Sequence, residues 1–213
     1  MTKLLLSTIA LGKRLQVENS HVTIGLTNPK SPSNVGAVMR AAGCYSVEQV
    51  LYTGQRYANA VKFNGLKHNT DTKNARDKIP LKAIDDFENV KAQLDNLPQA
   101  TKVICVDLVE GAIPLPHFQH PDQALYIFGP EDGTISQEVI DNADDVVYVP
   151  TVGCMNLAAS VNVLLYDRLA KSLVNKNQTE SDTVLIRKSR DTNNKVRVNK
   201  ANSAGDIHPT DHG

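Results

Sequence analysis

The 213-residue sequence has no run of about 18 apolar residues, so nothing in it reads as a membrane span. The start, Met1-Thr2-Lys3-Leu4-Leu5-Leu6, lacks a small-residue cleavage pattern and predicts no secretory signal. Cysteine is scarce. Cys44, Cys105 and Cys154 are odd in number and far apart, which excludes a disulfide frame and predicts reduced thiols in a cytoplasmic protein. Glycine-rich phosphate loops are missing too: there is no G-x-G-x-x-G and no G-K-[ST]. Net charge is zero, with 23 Lys+Arg against 23 Asp+Glu, and alone this argues against a nucleic-acid partner.

The zero is a cancellation. From 103 to 167 there is no Lys or Arg, while ten acids fall there: Asp107, Glu110, Asp122, Glu131, Asp132, Glu138, Asp141, Asp144, Asp145 and Asp167. The rest of the chain carries 23 bases against 13 acids. Such asymmetry fits either a solvated surface or a nucleic-acid contact on the basic part.

What is present is an alternation of apolar runs and turn signals. Residues 21–26, 49–53, 102–107, 124–128 and 146–149 read as strands, and their near-continuous apolar character suits a parallel sheet buried on both faces. Helices are expected from Asn34, as cap, to Gly43; over 136–142; and over 156–174, with Leu157, Val161, Leu164, Leu165 and Leu169 on one side. Residues 54–82 read as a long basic excursion with little regular structure, and 83–97 as weakly helical. The alternation gives an α/β fold. An N-terminal segment (1–20), a domain (21–174) and a flexible basic tail (175–213) are expected.

Three segments carry chemistry. Asn28-Pro29 to Arg40 joins a strand to a helix, with Arg40 a candidate for gripping a phosphate. Ile127-Phe128-Gly129-Pro130-Glu131-Asp132-Gly133 runs a buried strand into an acidic turn, where open α/β sheets bind ligands. Val149-Pro150-Thr151-Val152-Gly153-Cys154-Met155-Asn156-Leu157 precedes the longest helix. Each alone is equally a capped helix or a tight turn.

In this order and spacing they resemble the signature segments of the SpoU (TrmH-like) class of SPOUT RNA methyltransferases. The resemblance implies a SPOUT-type parallel sheet with a C-terminal deep trefoil knot and S-adenosylmethionine as cofactor. It also implies a homodimer acting on a ribose 2′-hydroxyl of tRNA or rRNA; no metal is expected, because a sulfonium is already a good leaving group, and no membrane. It assigns Asn34, Arg40, Glu131 and Asn156 to the catalytic site. Cofactor contacts fall on Phe128, Gly129, Glu131, Val149, Val152, Met155 and Leu157. For RNA, Arg40, Arg56, Lys62, Lys67, Lys73 and Arg76 are the candidates. Three positions depart from the pattern: Cys154 stands where the class has serine, Met155 where it has leucine, and Thr134 where it has glycine. A non-catalytic RNA-binding relative is the first alternative. A nucleotide-binding oxidoreductase is the second, set against by Asn28-Pro29 after the first strand. His117 and His120 read as a surface loop rather than a metal pair, and Cys154 as a packing residue.

Overall fold

The computed structural model describes residues 20–64, 79–90, 97–174, 182–190 and 193–197. Two compact units result, Met1–Asn175 and Lys176–Gly213.

The first unit holds a seven-stranded sheet. Its strands are β1 (His21–Leu26), β2 (Gln49–Tyr52), β3 (Leu81–Ala83), β4 (Lys102–Val106), β5 (Ile113–Pro114), β6 (Gln123–Phe128) and β7 (Asp145–Tyr148). They lie in the order β3-β2-β1-β6-β4-β7-β5, and every pairing is parallel. Parallel strands need crossovers, and these carry helices onto both faces. Alternate side chains of one strand therefore enter different cores. Along β6, Ala124, Tyr126 and Phe128 join one cluster and Leu125 and Ile127 the other; along β4, Ile104 and Val106 oppose Val103 and Cys105. That explains why these strands read as unbroken apolar runs.

Helix α1 (Pro32–Cys44) and the later helix α4 (Leu157–Val174) cover the first face. The buried stripe of α1 is Val35, Gly36, Val38, Met39, Ala41 and Ala42. Helix α3 (Gln137–Asp141) and the segment of Phe87 and Val90 supply the second.

Two helix boundaries differ from the sequence reading. Helix α1 starts at Pro32, with Ser31 as cap, its hydroxyl accepting the Asn34 N–H at 3.3 Å. Proline fits the first helical turn because its φ is preset and no N–H is needed there. The helix runs through Gly43 and stops where Ser46 takes a positive φ of 56°, with Val47 N–H donating to Ala42 O at 2.9 Å. That is a Schellman-type ending built on serine. The basic excursion also contains order. Arg56–Asn64 forms helix α2, because Tyr57 and Val61, one turn apart, pack on the core and Tyr57 meets Tyr52 edge-on at 5.2 Å. Within the weakly helical segment expected over 83–97, residues 84–89 are turns, bends and irregular chain and Val90 is helical; 65–78 and 91–96 lie outside the described residues.

The far end of α4 is anchored by polar contacts. The side chain of His120, expected on a surface loop, is buried. One ring nitrogen lies 2.8 Å from Asp167 Oδ2 and the other 2.7 Å from the Tyr126 hydroxyl. Arg168 donates to Tyr126, to the carbonyls of Pro121 and Asp122 and to Ser20. Lys171 donates to the carbonyls of Leu115 and Phe118. The 115–122 turn is therefore closed over by the helix, which is what removes His120 from water.

In the second unit, Asp182–Ser189 forms helix α5, with Val184 and Ile186 exposed. It lies inside the segment expected to be a flexible tail. Lys200 falls outside the described residues.

Candidate active site

All the strands point the same way, so their carboxyl ends form one edge. The loops leaving β4, β6 and β7 meet there and line a single cavity of about 150 Å³. From β4 come Val106, Asp107 and Leu108. From β6 come Phe128, Gly129, Pro130, Glu131 and Gly133. From β7 come Val149, Thr151, Cys154 and Met155, with Leu157 and Ser160 of α4 behind them. Six of the seven expected cofactor contacts thus converge: Phe128, Gly129, Glu131, Val149, Met155 and Leu157. Val152 does not line the cavity; it is fully exposed.

Glu131 ties the second segment to the first. Its carboxylate accepts the N–H groups of Lys30 at 2.8 Å and Ser31 at 3.0 Å, and the side-chain amide of Asn34 at 3.3 Å. It thus sits at the N-terminus of α1, where unpaired N–H groups and the helix dipole favour an anion. Partial burial pushes its pKa up. The backbone N–H groups of Lys30 and Ser31 and the Asn34 amide outweigh this and hold the carboxyl below its ordinary value.

Asn156 caps α4: its Oδ1 accepts the Ala159 N–H at 2.8 Å. That places Met155 and Leu157, on either side of it, at the cavity. Arg40 is exposed on α1, away from the buried stripe, and has no ion-pair partner among the described residues. Because α1 begins earlier than expected, Arg40 stands nine residues into the helix rather than in its first turns. Lys62 is exposed on α2. Lys67, Lys73 and Arg76 lie outside the described residues. Cys154 is not packed; it is exposed at the cavity. Cys105 is buried, and burial together with Asp107 pushes its thiol up to about 12, so it is inert.

One residue of the site escaped the sequence reading. Asp107 directly follows β4, and its carboxylate accepts the N–H groups of Leu108 at 2.8 Å and Ile135 at 2.9 Å. It fixes the cavity floor against the loop after β6. A Cβ on Gly129 would lie 2.6 Å from Asp107 Oδ2, so only glycine lets that backbone come so close. An acid directly after a buried apolar run was the available signal.

A parallel α/β sheet with a cavity at its carboxyl edge, built from three loops and braced by backbone and carboxylate contacts, defines an enzyme-like ligand-binding domain. The chain belongs to the SpoU rRNA Methylase family, whose sequence profile matches residues 21–166. A tRNA (cytidine-2′-O-)-methyltransferase, TrmJ, of Methanocaldococcus jannaschii is 27% identical over 176 residues, covering 73% of this chain and 70% of that protein. Among solved structures, the TrmH/SpoU tRNA modifying enzyme of A. aeolicus superposes with a TM-score of 0.62 at 14% identity, covering 87% of this chain and 95% of that one. The SpoU methyltransferase AviRb of Streptomyces viridochromogenes, in complex with AdoMet, gives 0.59 at 17% identity over 76% of this chain and 61% of that one. The present chain also spans only 56% of an rRNA methyltransferase of Sinorhizobium meliloti. These structures share its fold.

Proposed function

We propose that the protein is an S-adenosylmethionine-dependent RNA methyltransferase acting on a ribose 2′-hydroxyl. The observation that carries this reading is the cavity where the second and third signature segments meet the end of β4, with the first segment tied to it through Glu131. The similarity to a tRNA 2′-O-methyltransferase supports it.

The residues present suit the cofactor. Val106, Leu108, Phe128, Val149, Met155 and Leu157 offer an apolar slot for a flat base. The carboxylates of Asp107 and Glu131 supply a negative field for a cationic sulfonium. When bound, the cofactor supplies an activated methyl group on that sulfonium, so no metal is required to activate it. Gly129 and Met155, which line the cavity, would help hold it.

Arg40 fixes a substrate phosphate and the 2′-oxygen. It is not assigned as a base, because a guanidinium keeps its proton with a pKa above ~12, and a neighbouring phosphate raises it further. Asn34 and Glu131 brace the first and second segments, and Asn156 orients the third. Holding the reacting atoms in line can supply about 7–11 kcal/mol of barrier reduction.

The same reading includes a homodimer. Val163 and Tyr166 leave an apolar stripe exposed on α4 beside α1. It also includes a trefoil knot in the part of the domain from β6 to α4, supported by β7 lying between β4 and β5. The 21–174 domain, the basic 175–213 segment and a cytoplasmic location complete it, with RNA meeting the basic side through Arg40, Arg56 and Lys62. Dinucleotide binding is disfavoured by an observation of its own: the Glu131 carboxylate occupies the α1 N-terminus, where a pyrophosphate would have to sit.

Calorimetry tests the cofactor: S-adenosylmethionine binds and nicotinamide dinucleotides do not. Nucleoside mass spectrometry of RNA from a deletion strain then shows one 2′-O-methylated nucleoside missing. Binding of a nicotinamide cofactor alone, or an unchanged nucleoside profile, would sink the proposal.

A further inference from the structure

The acid next to Glu131 is tied in a different direction. Asp132 is gripped by the fork of Arg56, Nη1 to Oδ1 and Nη2 to Oδ2 both at 2.7 Å. Lys30 Nζ stands 3.6 Å from the same Oδ2. The three residues come from three different connections at the carboxyl edge of the sheet. Lys30 lies between β1 and α1, Arg56 opens α2 after β2, and Asp132 follows β6. All three remain open to water, with side-chain exposures of 65%, 32% and 49%.

A planar guanidinium gripping two oxygens, with an ammonium beside it, is the donor arrangement that recognises a phosphate. In this chain its own carboxylate fills that arrangement. An exposed carboxylate–guanidinium pair is weak and screened by salt. A polyanion brings several phosphates at once and competes for the same donors with an advantage in charge. Asp132 also belongs to the Gly129–Gly133 loop, whose other members line the cavity.

We propose that Lys30 and Arg56 form a phosphate-binding subsite for the RNA substrate, and that Asp132 is its resident occupant, displaced when a substrate phosphate arrives. This rests on the RNA-directed reading above. Displacement releases the cavity loop from α2, so arrival of substrate is felt at the cofactor pocket. Thermodynamic reciprocity requires bound cofactor to alter RNA affinity by the same factor.

The test is a double-mutant cycle on the full chain, with Asp132→Asn, Arg56→Ala and the two combined. Affinity for unfractionated tRNA is read by filter binding at one fixed salt concentration, and S-adenosylmethionine affinity by calorimetry. Asp132→Asn should tighten tRNA binding roughly two- to fivefold, the span expected for one exposed ion pair. The gain should vanish once Arg56 is alanine. Lys30→Ala provides a second background, in which the gain should shrink. An equal gain with and without Arg56 reports only a changed net charge and overturns the subsite. So does unchanged tRNA affinity in Asp132→Asn. If the unaltered protein binds S-adenosylmethionine and tRNA while the substitutions act additively, the subsite alone is wrong. If it binds neither, the methyltransferase reading fails and takes the subsite with it.

Discussion

Lowering the pH from 7 to 5 should destabilise this protein through one side chain, His120. Its side chain is 4% exposed. Burial lowers its pKa from 6.5 to about 4; Asp167 pulls it up, Arg168 and Lys171 push it down, and burial wins. The ring is therefore neutral at pH 7, one nitrogen donating to Asp167 and the other accepting from Tyr126. The unfolded chain takes a proton near 6.5, the folded chain only near 4. Protons thus favour the unfolded state, and stability that is complete above about pH 7 is lost progressively from 6.5 down to 4. Linkage for one such site gives a loss of about 2 kcal/mol between pH 7 and pH 5. That corresponds to roughly 4–8 °C in Tm for a chain of this size. Urea denaturation at the two pH values measures it in the unaltered protein and in His120→Gln, which keeps a neutral donor and acceptor. The variant should start less stable at pH 7 and lose much less on acidification. An equal loss in both proteins would refute the reasoning, as would an NMR titration placing His120 near 6.5.

Three further outcomes are expected. Arg40→Ala should abolish methyl transfer while S-adenosylmethionine still binds in calorimetry with affinity within about threefold; loss of cofactor binding would show that Arg40 shapes the pocket instead. Gly129→Ala drives a Cβ against an Asp107 carboxylate already fixed by two N–H groups, so cofactor affinity should drop at least tenfold with about 1–3 kcal/mol of destabilisation, read by calorimetry and denaturation. Affinity for tRNA should fall with salt by about 0.7–0.9 log units per log unit for each phosphate neutralised; a flat dependence would exclude the basic side from the interface.

Five of the seven strands were legible because burial on both faces leaves an unbroken apolar run; the short, partly buried edge strands β3 and β5 carry no such run and were missed. Asn156 was legible as a cap because its partner is three residues away. Local signals misled where two competed. Asn34 and Ser31 are both good caps, and Pro32 decides between them by fitting the first turn. Gly43 promised a helix end, yet the ending falls on Ser46, whose positive φ has no sequence mark. The pattern of β-ends and loops located the cavity, six of its expected contacts included. What the sequence could not show were pairings between distant residues: Asp107 with Ile135, Arg56 with Asp132, His120 with Asp167. Nothing local distinguishes such an acid from one that merely faces water, and the burial of His120 depends on a helix that begins 37 residues later.

The strand order also shapes how the chain must fold as it is made. β1 is flanked by β2 and by β6, and its register with β6 pairs His21 with Gln123 and Leu26 with Phe128, about a hundred residues downstream. At roughly 5–20 residues per second, synthesis leaves the inner edge of β1 without its partner for about 5–20 s. During that interval Val22, Ile24 and Leu26 flank an open row of backbone donors and acceptors, the template on which strands of other chains add. The central strand of the sheet is thus also its late keystone. A chain halted before residue 120 should aggregate in a sedimentation assay, whereas one extended through residue 175 should stay in the supernatant.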